Sequence, residues 1–220
     1  MIRDLGVGLG HGDECMSRTV FILPHTHWDR EWYLPFERFR MRLVRTVDQL
    51  LTIMRTDPTY ERFTLDGQSI ILDDYLAIRP HQEQALRALV AQRRLAVGPW
   101  YVLPDEFLVS GEALIRNLMI GRHKATRFGP PVDVGYLPDT FGHIVQLPQI
   151  LRGFGITSAM LSRGVGDEGE TLGSEFWWEA LDGSRVLVVH QVRGYCNGAA
   201  LGYPLPTVVF EGRDPDLDLA

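Results

Sequence analysis

Cysteine is nearly missing from this 220-residue chain, which carries only Cys15 and Cys196. Two distant thiols do not make the cross-linked framework of a small secreted scaffold, and they fit a reducing compartment. Positive charge is also short: 22 Lys and Arg face 28 Asp and Glu, a net charge of −6. That balance argues against a nucleic-acid partner, because phosphate backbones reward a basic excess. No apolar run approaches the roughly 20 residues a helix needs to cross a bilayer, so no membrane partner is expected. The first residues lack the charged-then-apolar order of a secretory signal, and a cytoplasmic protein is the expectation. Residues 1–17, "MIRDLGVGLGHGDECMS", are polar and glycine-rich without periodicity and read as a disordered leader. Met16, just before "SRTVFIL", competes with Met1 as the natural start.

Short apolar runs alternate with helical patterns over the rest of the chain. Strands are expected at Thr19–Leu23, Arg62–Leu65, Leu95–Val97, Val134–Leu137, Ser158–Leu161, Glu175–Glu179 and Val186–His190. Helices are expected over Arg40–Arg55, Ile70–Ile78, Gln82–Gln92, Gly111–Thr126 and Leu147–Gly153. The first places Met41, Val44, Val47, Leu50, Leu51 and Met54 near the helical period, and the fourth places Leu114, Leu118 and Met119 on one face. Strands alternating with helices predict an α/β fold with a mostly parallel sheet, as an open doubly wound sheet or a closed barrel. "ALDGS" between the last two strands is a hairpin signal, so that pair is expected to be antiparallel. The domain is read as residues 18–200, followed by an irregular, truncated tail over 201–220.

Function in such folds sits at the carboxyl ends of the strands. "VFIL" runs into "PHTHWDREWY" (24–33), which puts His27 and Asp29 at such an end. Two apart in extended chain, their side chains share a face and can converge on one ion. A nitrogen and an oxygen ligand suit Zn²⁺, with Mn²⁺, Co²⁺ and Ca²⁺ less easily excluded. Two solvated loop residues are the plainer alternative. "GYLPDTFGH" (135–143) repeats the design, with Asp139 beyond a strand end, although Pro138-Asp139 with Gly142 also suits a β-turn. Together the segments offer His27, Asp29 and Asp139 as three ligands and leave a fourth position open, as catalytic zinc sites do.

Those two segments resemble glycoside hydrolase family 38, the retaining α-mannosidases. "LDGQSIILDDYL" (65–76), "VGPWYVLPDEFLVSGEALIRNLMIG" (97–121) and "QLPQILRGFGI" (146–156) resemble its bacterial, mannosylglycerate-hydrolase-like branch. The resemblance covers roughly residues 18 to 195. It implies a seven-stranded β/α barrel, incomplete at its C-terminus, with one Zn²⁺ per site. His27 and Asp29 then match two zinc ligands, and Asp139 matches a residue that is both ligand and catalytic nucleophile. Trp32 matches a tryptophan lining the sugar site, Phe141 an aromatic beside the nucleophile, and Tyr195 a sugar-contacting tyrosine. Arg163 falls where the family has an arginine near the nucleophile; independently, a guanidinium there would keep Asp139 ionised. His25 and His143 are read as supporting or structural histidines, Trp100 as core, and "GVGDEGE" (164–170) as a solvated acidic loop.

The resemblance departs in length. The family's general acid/base and its remaining histidine ligand have no match here, so the chain is expected to be an N-terminal fragment, partnered by the missing C-terminal domains, with Asp105 and Asp66 the first substitutes for the acid. The expected activity is hydrolysis of terminal α-mannosides, with mannosylglycerate or its 6-phosphate among them, and exposed apolar surface is expected to drive homo-oligomerisation. Two alternatives stay open. One is a metal-dependent polysaccharide deacetylase, although the sequence lacks the H-x-x-x-H pair such an enzyme should carry. The other is a catalytically dead sugar-binding remnant.

Overall fold

The computed structural model describes residues 2–3, 20–196 and 198. The tail over 201–220 and all of the leader except residues 2–3 lie outside the described residues. In chain order the elements are β1 (Ile2–Arg3), β2 (Val20–Phe21), α1 (Phe36–Thr56), β3 (Phe63–Leu65), α2 (Ile70–Leu76), α3 (Glu83–Ala91) and β4 (Leu95–Val97). They continue with α4 (Gly111–Thr126), β5 (Gly135–Leu137), α5 (Leu147–Gly153), β6 (Ser158–Leu161), α6 (Gly169–Leu172), β7 (Glu175–Glu179) and β8 (Arg185–His190). Short 3₁₀ turns cover Pro80–Gln82, Glu106–Leu108 and Gly166–Glu168.

The strands form sheets of two, two and four rather than one continuous ladder. β3 pairs in parallel with β4. The extended segment before His27 joins β3 through a parallel bridge from His25 to Thr64. In the larger sheet β5, β6 and β8 run parallel, and β7 lies antiparallel on the outer side of β8, as the Asp182-Gly183 turn predicts. Prolines explain why β5 is short: Pro130 and Pro131 precede it and Pro138 follows it, and none can donate to a ladder. Between β4 and β5 the chain is tied by single bonds, Val132 N–H to the Val97 carbonyl (3.0 Å) and Trp100 Nε1–H to the Tyr136 carbonyl (3.0 Å).

"VFIL" departs from the expected buried strand. Only Val20–Phe21 is strand, and it pairs antiparallel with Ile2–Arg3. Phe21, Ile22 and Leu23 are exposed. The chain ahead of Phe63 turns at Asp57–Tyr60, so parallel pairing starts only at Pro24, whose carbonyl accepts the Thr64 N–H at 3.0 Å.

Two apolar clusters build the core. One joins α1, α2 and α3 to β3 and β4 through residues such as Leu43, Val47, Met54, Ile71, Leu86 and Val97. The other packs Leu137, Ala159, Leu161, Val186 and Val188 against α4 and α5. Helix α4 spans both, with Leu114 and Leu118 in the second and Ala125 in the first. Its start is set by Ser110, whose hydroxyl accepts the Ala113 N–H at 3.2 Å. Met119 does not share its buried face, and in α1 Met41 is likewise exposed. Gly121 takes the inner position instead, because a Cβ there would lie 2.1 Å from the Trp100 carbonyl carbon. That close approach seats α4 against the β4–β5 seam.

Candidate active site

Because His25–Thr64 and the β3, β4, β5, β6 and β8 pairings are parallel, the chain leaves all of them at one end of the fold. The residues that leave there are His27 and Asp29, Asp66, Asp139, Arg163 and Tyr195. The loop carrying His27 is pinned backbone-first. Trp28 N–H donates to Asp66 Oδ2 (2.6 Å), and the Trp28 carbonyl accepts from Gln68 Nε2 (2.8 Å). Two residues on, the Arg30 guanidinium makes a two-pronged pair with buried Asp74 of α2, at 2.7 and 2.9 Å, and lies over the Phe36 ring. The polar stretch that follows "VFIL" is thus partly scaffold: its arginine and one backbone amide hold the loop so that His27 and Asp29 face inward.

His27 Nε2 lies 3.5 Å from Asp139 Oδ2 and 3.7 Å from Asp29 Oδ1. One ligand atom from each of the three lies within 4.8 Å of the others. The other imidazole nitrogen, Nδ1, faces Asp66 Oδ1 at 3.3 Å. Asp66 is fully buried and sits at φ 29°, followed by Gly67 at φ 64°. Glycine is required there twice over, for the left-handed backbone and because a Cβ would meet the Tyr136 ring at 2.5 Å.

Asp139 is divided between two surroundings. Oδ2 faces His27, while Oδ1 pairs with Arg163 Nη2 at 2.7 Å and accepts from the Tyr195 hydroxyl at 3.2 Å. Arg163 Nε also donates to the Asp139 carbonyl (2.9 Å), and its guanidinium lies 4.0 Å above the Phe141 ring. The Tyr195 ring stacks obliquely on His27 at 4.7 Å. Burial, reinforced by Asp139, raises the Tyr195 phenol above its ordinary range. It therefore stays a neutral donor.

Both nitrogens of His27 are buried without a hydrogen bond. Burial alone would lower the His27 pKa, but the carboxylates of Asp29 and Asp66 outweigh it and raise it to about 10. A buried, unpaired nitrogen aimed between two carboxylate oxygens fits a cation. Bonds of about 2.0–2.2 Å to nitrogen and oxygen put tetrahedral ligand atoms about 3.3–3.6 Å apart, near the 3.5 and 3.7 Å that separate His27 Nε2 from Asp139 and Asp29. The Asp66 contact at Nδ1 suits the same purpose, since metal-binding imidazoles usually give their second nitrogen to a carboxylate.

Asp66, expected from the sequence only as a first substitute for the missing general acid, is buried, with its carboxylate accepting from Trp28 and Gln68 and facing His27. "LDGQ" did carry the signal, an Asp-Gly turn at a strand end. Glu106, buried in the 3₁₀ turn after β4, carries no such signal in the sequence. Trp32 stands apart from the network, 64 % exposed with Tyr33 as its ring neighbour, while Phe141 is exposed beside Arg163. His25 bonds the Tyr195 carbonyl through Nε2 at 2.8 Å, and Trp100 is wholly buried.

The chain is similar to known proteins over most of its length. The model of the glycosyl hydrolases family 38 N-terminal domain matches residues 17–208. A Halalkalibacterium halodurans protein named "Putative mannosylglycerate hydrolase" is 44% identical over 194 residues, covering 83% of this chain and 22% of the relative. Human "Alpha-mannosidase 2C1" is 32% identical over 183 residues, 81% of this chain and 17% of that one. The crystal structure of an alpha-mannosidase from Enterococcus faecalis superposes with a TM-score of 0.77 at 42% identity, over 80% of this chain and 20% of that one. The chain thus spans about a fifth of the length of these relatives.

Proposed function

Because the chain belongs to glycosyl hydrolase family 38, we propose that its cluster is the nucleophile and metal side of a zinc-dependent, retaining α-mannosidase site. The observation that carries this reading is the division of Asp139, with one oxygen facing His27 and the other held by Arg163 and Tyr195. A carboxylate that must attack has to stay ionised and aimed. The guanidinium pairs with Oδ1 and, through its second bond to the Asp139 carbonyl, aims the carboxylate.

In this reading Asp139 attacks the anomeric carbon as the bond to the leaving oxygen breaks, giving a glycosyl ester on Asp139. The leaving oxygen takes a proton from an acid, which then draws a proton from water as the water cleaves the ester with net retention. Tyr195 and Arg163 keep Asp139 Oδ1 in place through both steps. Phe141, exposed at the rim, offers an apolar face to the C–H surface of a sugar, and Trp32 a second one. His27, Asp29 and Asp139 would hold Zn²⁺, which when bound supplies a cationic anchor for sugar hydroxyls. The parallel order of the strands, and the His25–Tyr195 bond between first and last segments, supports a β/α barrel of the seven-stranded kind. Terminal α-mannosides are the substrate class; the name of one relative extends it to mannosylglycerate.

The experiment is to assay an aryl α-mannoside with zinc and read the first-formed sugar by NMR. Retention of configuration is expected, with turnover abolished by Asp139→Asn. For Asp29→Asn the expected loss is mainly in zinc affinity, partly recovered with excess zinc. Inverted product, or near-normal turnover by Asp139→Asn, would overturn the reading.

A further inference from the structure

Arg163 is itself held from behind. Glu106, buried in the 3₁₀ turn that follows β4, spends both carboxylate oxygens on the loop beyond Asp139. Oε1 lies 2.8 Å from His143 Nδ1, and Oε2 accepts the Ile144 N–H at 2.9 Å. The other nitrogen of His143, Nε2, lies 2.9 Å from the Arg163 carbonyl oxygen. A carbonyl only accepts, so Nε2 carries a proton, and a second proton, on Nδ1 or on Glu106, closes the Oε1–Nδ1 contact. The His143 and Glu106 side chains are 6% and 0% exposed, and Trp178 closes the remaining ring edge.

The result is a reciprocal tie between two loops. Arg163 donates through its side chain to the Asp139 carbonyl, and His143, four residues beyond Asp139, donates back to the Arg163 carbonyl. The loops touch closely enough that a Cβ on Gly164, at φ 80°, would lie 2.7 Å from the Thr140 carbonyl oxygen. Among the described residues, His143 and Glu106 hydrogen-bond to Arg163 and Ile144 and to each other but not to His27, Asp29 or the Asp139 carboxylate, so their influence runs through Arg163.

We propose that Glu106 and His143 act as a positioning couple that fixes the Arg163 guanidinium against Asp139. Buried polar pairs of this kind contribute little net stability compared with well-packed apolar residues, and their gain is in a single defined geometry. The couple sets the direction of Arg163 and thereby the readiness of Asp139. This inference rests on the nucleophile reading of Asp139, but its structural part can be tested without turnover.

The test combines NMR of the ¹⁵N-labelled protein with kinetics. In the unmodified protein the His143 Nε2 signal is expected to be that of a protonated nitrogen, and Arg163 Nε–H to give a distinct, slowly exchanging signal. His143→Phe keeps a ring beside Trp178 but removes the donor. It is expected to average the Arg163 signal and to lower kcat about 10–100-fold, the usual cost of removing a supporting partner, with KM moving less than about twofold. His143→Gln, whose amide reaches where Nε2 does, is expected to restore both. Glu106→Gln should also keep both, since its amide can donate to Nδ1 while its oxygen accepts from Ile144. A bare Nε2 in the unmodified protein would overturn the proposal even if His143→Phe fails to fold. So would a folded His143→Phe with an unchanged Arg163 signal and unchanged kcat. An inverted first product would refute the functional reading, while the NMR measurements still decide the couple.

Discussion

Zinc uptake should depend steeply on pH, and the slope follows from His27. In the metal-free protein its pKa is raised to about 10 because the carboxylates of Asp29 and Asp66 outweigh the opposing effect of burial. A cation at Nε2 must displace that proton. Three pH units below the pKa, the competition weakens binding at pH 7 by about 10³, or about 4 kcal/mol. Apparent affinity should rise about tenfold per pH unit between pH 6 and 8, one proton leaving per zinc bound. The sign for stability is the reverse. A folded-state pKa above the ordinary 6.5 stabilises the metal-free fold fully below about pH 6.5, and the contribution is lost as pH rises through about 10. Chelator-buffered zinc titrations at several pH values give the slope. Calorimetry in buffers of different ionisation enthalpy counts the proton. An affinity flat from pH 6 to 8 with no proton released would refute the argument, because the orphaned imidazole would then not be where the metal binds.

Two further predictions address the scaffold. Asp66→Asn preserves shape and can keep an acceptor for Trp28 N–H but removes the charge behind Nδ1, so zinc affinity should fall about 10–100-fold with an unchanged far-UV spectrum; an unchanged affinity would deny Asp66 any part in the site. Gly121→Ala puts a methyl 2.1 Å from the Trp100 carbonyl carbon and 2.2 Å from the Tyr101 nitrogen. That clash is with backbone that cannot rotate away, so α4 must lift at a cost of about 3 kcal/mol, a fall of about 6–12 °C in Tm. A Tm within 2 °C or so of the parent would show that the seam is looser than described.

What was legible in the sequence, and what was not, divides by the range of the interaction. Helix α4 was readable from its apolar spacing, yet the choice of Gly121 over Met119 for the inner face depends on how near the Trp100 backbone comes, which no periodicity encodes. The Asp182-Gly183 hairpin is local, and it was readable for that reason. "VFIL" misled because four apolar residues look buried whatever lies beside them, and its lack of a parallel neighbour is decided by a turn some 35 residues away. At the site, His27, Asp29 and Asp139 stood out by lying beyond strand ends, and parallel pairing then brings them together. Asp66 and Glu106 were harder to see, since a single acidic residue in a loop looks solvated until the fold buries it.

The charge count at the strand ends gives the strongest physical reason to expect a divalent cation. Asp29, Asp66 and Asp139 bring three carboxylates to one imidazole and one guanidinium. Counted at formal charge with a proton on His27, the group still carries one net negative charge, partly shielded from water. Replacing that proton with a doubly charged ion brings the group to neutrality, and the ion then satisfies an imidazole nitrogen that now has no hydrogen bond. Like charges gathered beside a buried carboxylate such as Asp66 are costly to leave uncompensated. A merely structural role could have been filled by apolar side chains without that cost. The arrangement is one that a cation would complete, with Arg163 pairing Asp139 on its other side.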